Sequence, residues 1–90
     1  MDSIMELGLN STDILREAAM AFINGDTEDA MEVLDRRLVM RGKSLEVIKS
    51  IYGSGLHVDV GGRLMMIVES IRRVSEYSYD IAELTLDTYG

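Results

Sequence analysis

Along the last third of the chain, apolar residues stand at Leu64, Ile67, Ile71, Val74, Ile81 and Leu84, with the small Ser78 and Thr85 between them. This is the three-and-four spacing of one helix face. A second row, Glu69, Arg72, Arg73, Glu76, Asp80, Glu83 and Asp87, lies roughly opposite and fits within an arc of about 100°. The pattern predicts one helix over residues 60–87, with an oily edge turned to a core and a charged edge turned outward.

The same spacing predicts two earlier helices. Ile4, Leu7, Ile14 or Leu15, Ala18 and Phe22 mark a helix over residues 3–24, which Ser3 and Glu6 can open as a capping box. Gly8 weakens that first turn, so Asn10 and Ser11 are alternative caps. Asn24-Gly25 ends the helix, and Asp26 or Thr27 caps a second one over 27–52, antiparallel to the first because the turn is short. Its stripe is Ala30, Leu34, Leu38, Leu45, Ile48 and Tyr52, widened by Val33, Met40, Val47 and Ile51. Gly42 in mid-helix predicts a close backbone approach or a kink. Gly53-Ser54-Gly55 stops the helix, Leu56 is expected under the core, and Asp59 is the expected N-cap of the third helix.

Composition narrows the class. The chain has no proline, which favours long helices, and its 90 residues make one small domain over 1–90. A domain of that size buries only about 60–65% of its unfolded surface, so self-association is expected. The net charge of −7 speaks against a general grip on nucleic acid, which needs surplus Lys and Arg. Without cysteine there are neither disulfides nor thiolate metal sites. Acidic Asp2 and Glu6 do not open a signal peptide, and the longest apolar runs, Ala18 to Ile23 and Leu64 to Val68, are too short to span a bilayer. A soluble, cytoplasmic protein is expected.

The chemistry-bearing residues are few. His57 and Asp59 form an isolated His-x-Asp, read as a loop histidine beside a helix cap. With one histidine there is little support for a Ser-His-acid arrangement, and Gly53-x-Gly55 lacks the strand and the lysine of a phosphate loop, so no enzyme is expected. The seven methionines read as core filler, and the basic group Arg36, Arg37, Arg41 and Lys43 as a solvated face with local ion pairs. The acidic row is the sharper signal. Glu76 with Asp80 and Glu83 with Asp87 are like-charged i,i+4 pairs, and Asp80 with Glu83 adds an i,i+3 pair, in the half of the helix where the dipole disfavours anions. Together these choices cost on the order of 1 kcal/mol, which a bound cation or a basic partner would offset. Clustered carboxylates at this spacing suit hard or borderline divalent metals.

The run Ile67-Val-Glu-Ser-Ile-Arg-Arg-Val-Ser-Glu-Tyr-Ser-Tyr-Asp-Ile-Ala-Glu83 resembles the last helix of PhoU-type domains, most closely the archaeal variety. Ala21-Phe-Ile-Asn-Gly-Asp-Thr-Glu-Asp-Ala-Met-Glu-Val33 is similar to that family's first helix–helix junction, and the likeness spans about Ile14 to Leu86. It implies a three-helix unit. Such units usually occur as two copies, giving a six-helix protein that tunes phosphate uptake by contacting a membrane transporter and its sensor kinase. Related domains are fused to regulators of potassium transport. The bacterial members hold iron, zinc or magnesium on the outer face of the last helix through a Glu-x-x-x-Asp motif, whose first acid falls on Arg72 and second on Glu76, with Asp80 at the following Asn and Glu83 matching. Arg72 departs from that motif and repels a metal, and Arg37 and Arg41 stand where the preceding helix tends to carry acids.

The expectation is therefore an all-α, three-helix antiparallel bundle paired into a six-helix dimer, a non-enzymatic module of phosphate-transport regulation. Arg72, Arg73, Arg37 and Arg41 are the candidate partner-binding residues, with a transporter subunit or sensor kinase as partner. One alternative is a divalent-metal protein, binding Fe, Zn, Mn or Mg through Glu76, Asp80 and Glu83, with Asp87 as a further ligand. Another is the dimerisation domain of a larger phosphate or potassium transport regulator.

Overall fold

The computed structural model describes residues 2–90, so of the domain read over 1–90 only Met1 lies outside. Helix α1 runs Asp2–Asn24, α2 Thr27–Asp35, α3 Arg37–Gly53 and α4 Val58–Tyr89, with no strand among the described residues. Helices α2 and α3 are two lengths of one arm, separated at Arg36, whose N–H turns to the Val33 carbonyl at 3.2 Å in a tightened turn. The fold is thus a three-helix bundle of α1, the α2–α3 arm and α4, extending 48 × 18 × 17 Å.

The first junction is held by its sequence. Gly25 takes φ +64°, its N–H reaches the Phe22 carbonyl at 3.3 Å, and the Asp26 N–H reaches Ala21 at 2.8 Å, the pairing of a Schellman motif. Tyr89 lies so close that a Cβ on Gly25 would sit 3.0 Å from its ring, and the Tyr89 and Phe22 rings meet edge to face at 5.9 Å. Asp26 then caps α2, accepting from the Asp29 N–H at 3.0 Å.

The core runs along the axis through Leu7, Ile14, Ala18 and Ala21 of α1, Ala30 and Val33 of α2, Met40, Val47 and Ile51 of α3, and Val68, Tyr79 and Ala82 of α4. Between α1 and α4 small residues let the helices close up. Ser11 donates to the Ile71 carbonyl at 3.1 Å and accepts from Ser75 at 2.9 Å, both serines being buried. Ser78 and Thr85 are buried by returning their hydroxyls to Val74 and Ile81 of their own helix.

Several expectations are corrected. The buried face of α4 keeps Ser78 and Thr85 of the expected seam but is completed by Val68, Ser75, Tyr79 and Ala82, its centre about 70° round the helix from that seam. Ile67 and Leu84 of that seam are half exposed. On the second arm Ala30 of the expected stripe is buried and Leu34 and Ile48 pack against the core, but the widening row, Val33, Met40, Val47 and Ile51, is buried throughout, whereas Leu38 and Tyr52 stand 75% and 77% exposed. The interruption expected at Gly42 falls at Arg36, and a Cβ at Gly42 would meet nothing within 4 Å. Ser3 and Ser11 lie inside α1, which is continuous through Gly8. Leu56 is exposed, and α4 begins two residues before its expected start because His57 caps it in place of Asp59, its Nδ1 accepting from the Asp59 N–H at 3.3 Å.

Candidate functional site

The charged face of α4 keeps its outward position. Asp80, Glu83 and Asp87 are exposed and Glu76 is half-buried, at the edge where α3 packs against α4. Arg37, the first residue of α3, reaches over this edge. Its Nη2 donates to Glu76 Oε2 at 3.1 Å, its Nη1 stands 3.9 Å from Glu83 Oε1, and its guanidinium lies 5.2 Å above the centre of the Tyr79 ring. Two of the three carboxylates read as metal ligands are therefore answered by a cation from the neighbouring helix.

One turn earlier on α4, Arg72 grips Glu69 with two bonds, Nε to Oε2 at 2.9 Å and Nη2 to Oε1 at 2.6 Å, and Arg73 Nε stands 3.8 Å from the same carboxylate. The hydrogen bond from Arg72 holds the Glu69 carboxyl below the usual glutamate range, and the same bond raises Arg72. Tyr79 is pushed up by burial first and by the Glu76 carboxylate second. Arg41 shares with Arg37, Arg72, Glu76 and Tyr79 a cavity of about 150 Å³ between α3 and α4. The four arginines read as partner-binding thus lie along one edge, Arg73 on its outer side. Tyr79, in the middle, escaped the sequence reading; the acid-aromatic step Glu76-Tyr77-Ser78-Tyr79 was its signal.

Arg37 stands between Glu76 and Glu83, and Arg72 holds Glu69 one turn earlier, so a divalent cation at this edge would meet two guanidinium groups. The carboxylates that do converge among the described residues are Glu17 of α1 with Asp29 and Glu32 of α2, their oxygens within 4.8 Å of one another. Burial raises the Glu17 carboxyl above its ordinary value, aided by Asp29, while Arg36 Nη1 pairs with Glu17 Oε2 at 2.6 Å. This cluster joins two helices across the Gly25 turn, so no single-helix periodicity reveals it. The neighbouring Arg36 and Arg37 pair in opposite directions, one to α1 and one to α4.

No helix among the described residues is long and apolar enough to cross a membrane. Neither a curated protein nor a solved structure matches the chain. The family model described as the PhoU domain matches residues 4–85. That match takes in all of the helical arms but their outermost turns, the Arg37–Glu76 edge included, and the chain belongs to the PhoU domain family.

Proposed function

We propose that this chain is a cytoplasmic, non-enzymatic regulatory module of phosphate transport, which acts as a dimer and presents its charged α3–α4 edge to a transporter subunit or sensor kinase. The observation that carries the reading is a division of the surface into two unlike faces. On one side of α4, Ile67, Ser70, Val74, Tyr77, Ile81 and Leu84 form a strip without a single charge. Beside it, across a groove lined by Gly8, Thr12, Ser70 and Val74, α1 adds exposed Met5, Leu9, Met20 and Ile23, interrupted by Arg16.

An uncovered apolar face two helices wide is a liability in a monomer and an asset in an assembly. A side of 48 × 18 Å offers roughly the 800 Å² per partner that stable interfaces bury. A second copy fits best, because a 90-residue bundle is short of buried surface and a two-fold pairing of the strip with itself opposes no charges except Arg16. The pairing leaves the arginine-rich edge free.

The functional test is phosphate uptake at fixed external concentration in cells with and without the chain, together with a version carrying Arg41→Glu and Arg73→Glu. Uptake should change on deletion and should fail to be restored by the charge-reversed chain. Uptake identical in all three would remove the regulatory reading.

A further inference from the structure

The cavity between α3 and α4 has an excess of hydrogen-bond donors over acceptors. Arg41 is in no ion pair among the described residues. Arg72 spends Nε and Nη2 on Glu69 and keeps Nη1 unused. Among the described residues two further donors are buried without a partner, Arg37 Nε and the hydroxyl of Tyr79, a residue only 2% exposed. Buried donors in folded proteins almost always find an acceptor, and the two residues that carry these both line the cavity. Ser44 and Ser75 donate to the Met40 carbonyl and to Ser11, and neither hydroxyl oxygen accepts from Arg37 Nε or from Tyr79.

Glu76 is the one carboxylate on the cavity wall. A fully deprotonated oxyanion such as sulfate would face it with lone pairs on both sides. An oxyanion that keeps a proton can accept from the arginines and tyrosine and donate to Glu76, which has lone pairs left beyond the bond from Arg37. The volume of about 150 Å³ leaves room for one small tetrahedral ion.

We propose that this cavity is a binding site for free hydrogen phosphate, held by Arg37, Arg41, Arg72 and the Tyr79 hydroxyl, with Glu76 selecting for the protonated anion. All of these residues come from one chain, so the site is complete without assembly and stands or falls apart from the uptake experiment.

The experiment is an NMR titration of the ¹⁵N-labelled protein with inorganic phosphate, chloride holding the ionic strength constant, read at the arginine Nε–H signals and the backbone amides of α3 and α4. Saturable shifts confined to the cavity are expected. Arg41→Gln, at an exposed position that leaves the core intact, should weaken binding about tenfold, since it removes a charge-assisted donor. Tyr79→Phe, which keeps the buried ring, should weaken it several-fold. Sulfate should bind less tightly than phosphate, and Glu76→Gln should narrow that difference. Absence of saturation up to about 50 mM phosphate, or equal saturation in Arg41→Gln, would mean that the cavity holds only water and would overturn the proposal. Sulfate binding as tightly as phosphate to the unaltered protein would overturn the assignment of Glu76 as the selector and of the ligand as a protonated anion.

Discussion

Replacing Arg37 by Met tests whether the acidic edge is balanced from within. Methionine keeps most of the apolar stem and removes the guanidinium. Three contributions are lost. The pair with Glu76 has side chains 39% and 34% exposed, so it is worth only about 0.2–1 kcal/mol. The contact with the Tyr79 ring at 5.2 Å adds about 0.5–1 kcal/mol. The third is the compensation of Glu76, Asp80 and Glu83, whose mutual repulsion along the helix amounts to a few tenths of a kcal/mol per pair. Removing the partnerless Nε–H returns part of this, so the net loss should be about 1–2 kcal/mol. For a domain of this size that corresponds to a fall of roughly 5–15 °C in Tm, measurable by circular dichroism. Because the lost terms are electrostatic and partly exposed, the difference between the two proteins should shrink at high salt. Millimolar Mn²⁺ or Zn²⁺ should leave the unaltered protein's Tm unmoved and recover some stability in Arg37→Met, where the carboxylates are no longer answered. A Tm unchanged by the substitution would refute the reasoning. So would a metal-induced rise in the unaltered protein that disappears in Glu76→Gln with Asp80→Asn, since the carboxylates would then serve a metal.

Two further outcomes follow from local geometry. Gly25→Ala forces a side chain into φ +64° and to 3.0 Å from the Tyr89 ring, so it should destabilise by about 1–2 kcal/mol in chemical unfolding, with Tyr89→Ala relieving the steric part. In an NMR pH titration Glu69 should titrate below the ordinary glutamate value and Glu17 above it. The signs oppose: the depressed Glu69 contributes stability above its unfolded pKa and loses it as pH falls through the folded one, whereas the raised Glu17 contributes at low pH and loses it as pH rises through its folded value. Arg72→Leu should return Glu69 to the ordinary range.

The three arms, their order and the Gly25 turn were legible because each has a local cause: helical periodicity, a glycine able to take positive φ, an aspartate at the cap. Which stripe faced inward was not. Helix α4 carries two rows, and the bulkier one packs only partly against the core, with Ile67 and Leu84 half exposed, while Ser75, Ser78, Ala82 and Thr85 are buried. Hydrophobicity alone ranks the rows the other way. Close packing against α1 decides it, since small residues on both helices, Ser11, Ala18 and Ala21 among them, are buried together and the serine hydroxyls find bonds in each other and in nearby carbonyls. The second arm shows the same choice between Leu38–Tyr52 and Met40–Val47. At the acidic edge the sequence revealed the uncompensated charge on one helix, and the cation that answers it was hidden because Arg37 comes from another, 39 residues away.

The row of α4 that lost the competition for the interior matters most, because with exposed Met5, Leu9, Met20 and Ile23 of α1 it makes the face through which two copies are proposed to meet. Light scattering across a concentration series measures this directly, on the unaltered chain and on Leu9→Glu with Tyr77→Glu, both positions being about 60% exposed and outside the core. Twice the 10.0 kDa chain mass is expected for the unaltered protein and a folded monomer for the double variant. A monomer at every concentration, or a dimer indifferent to the two glutamates, would contradict that pairing.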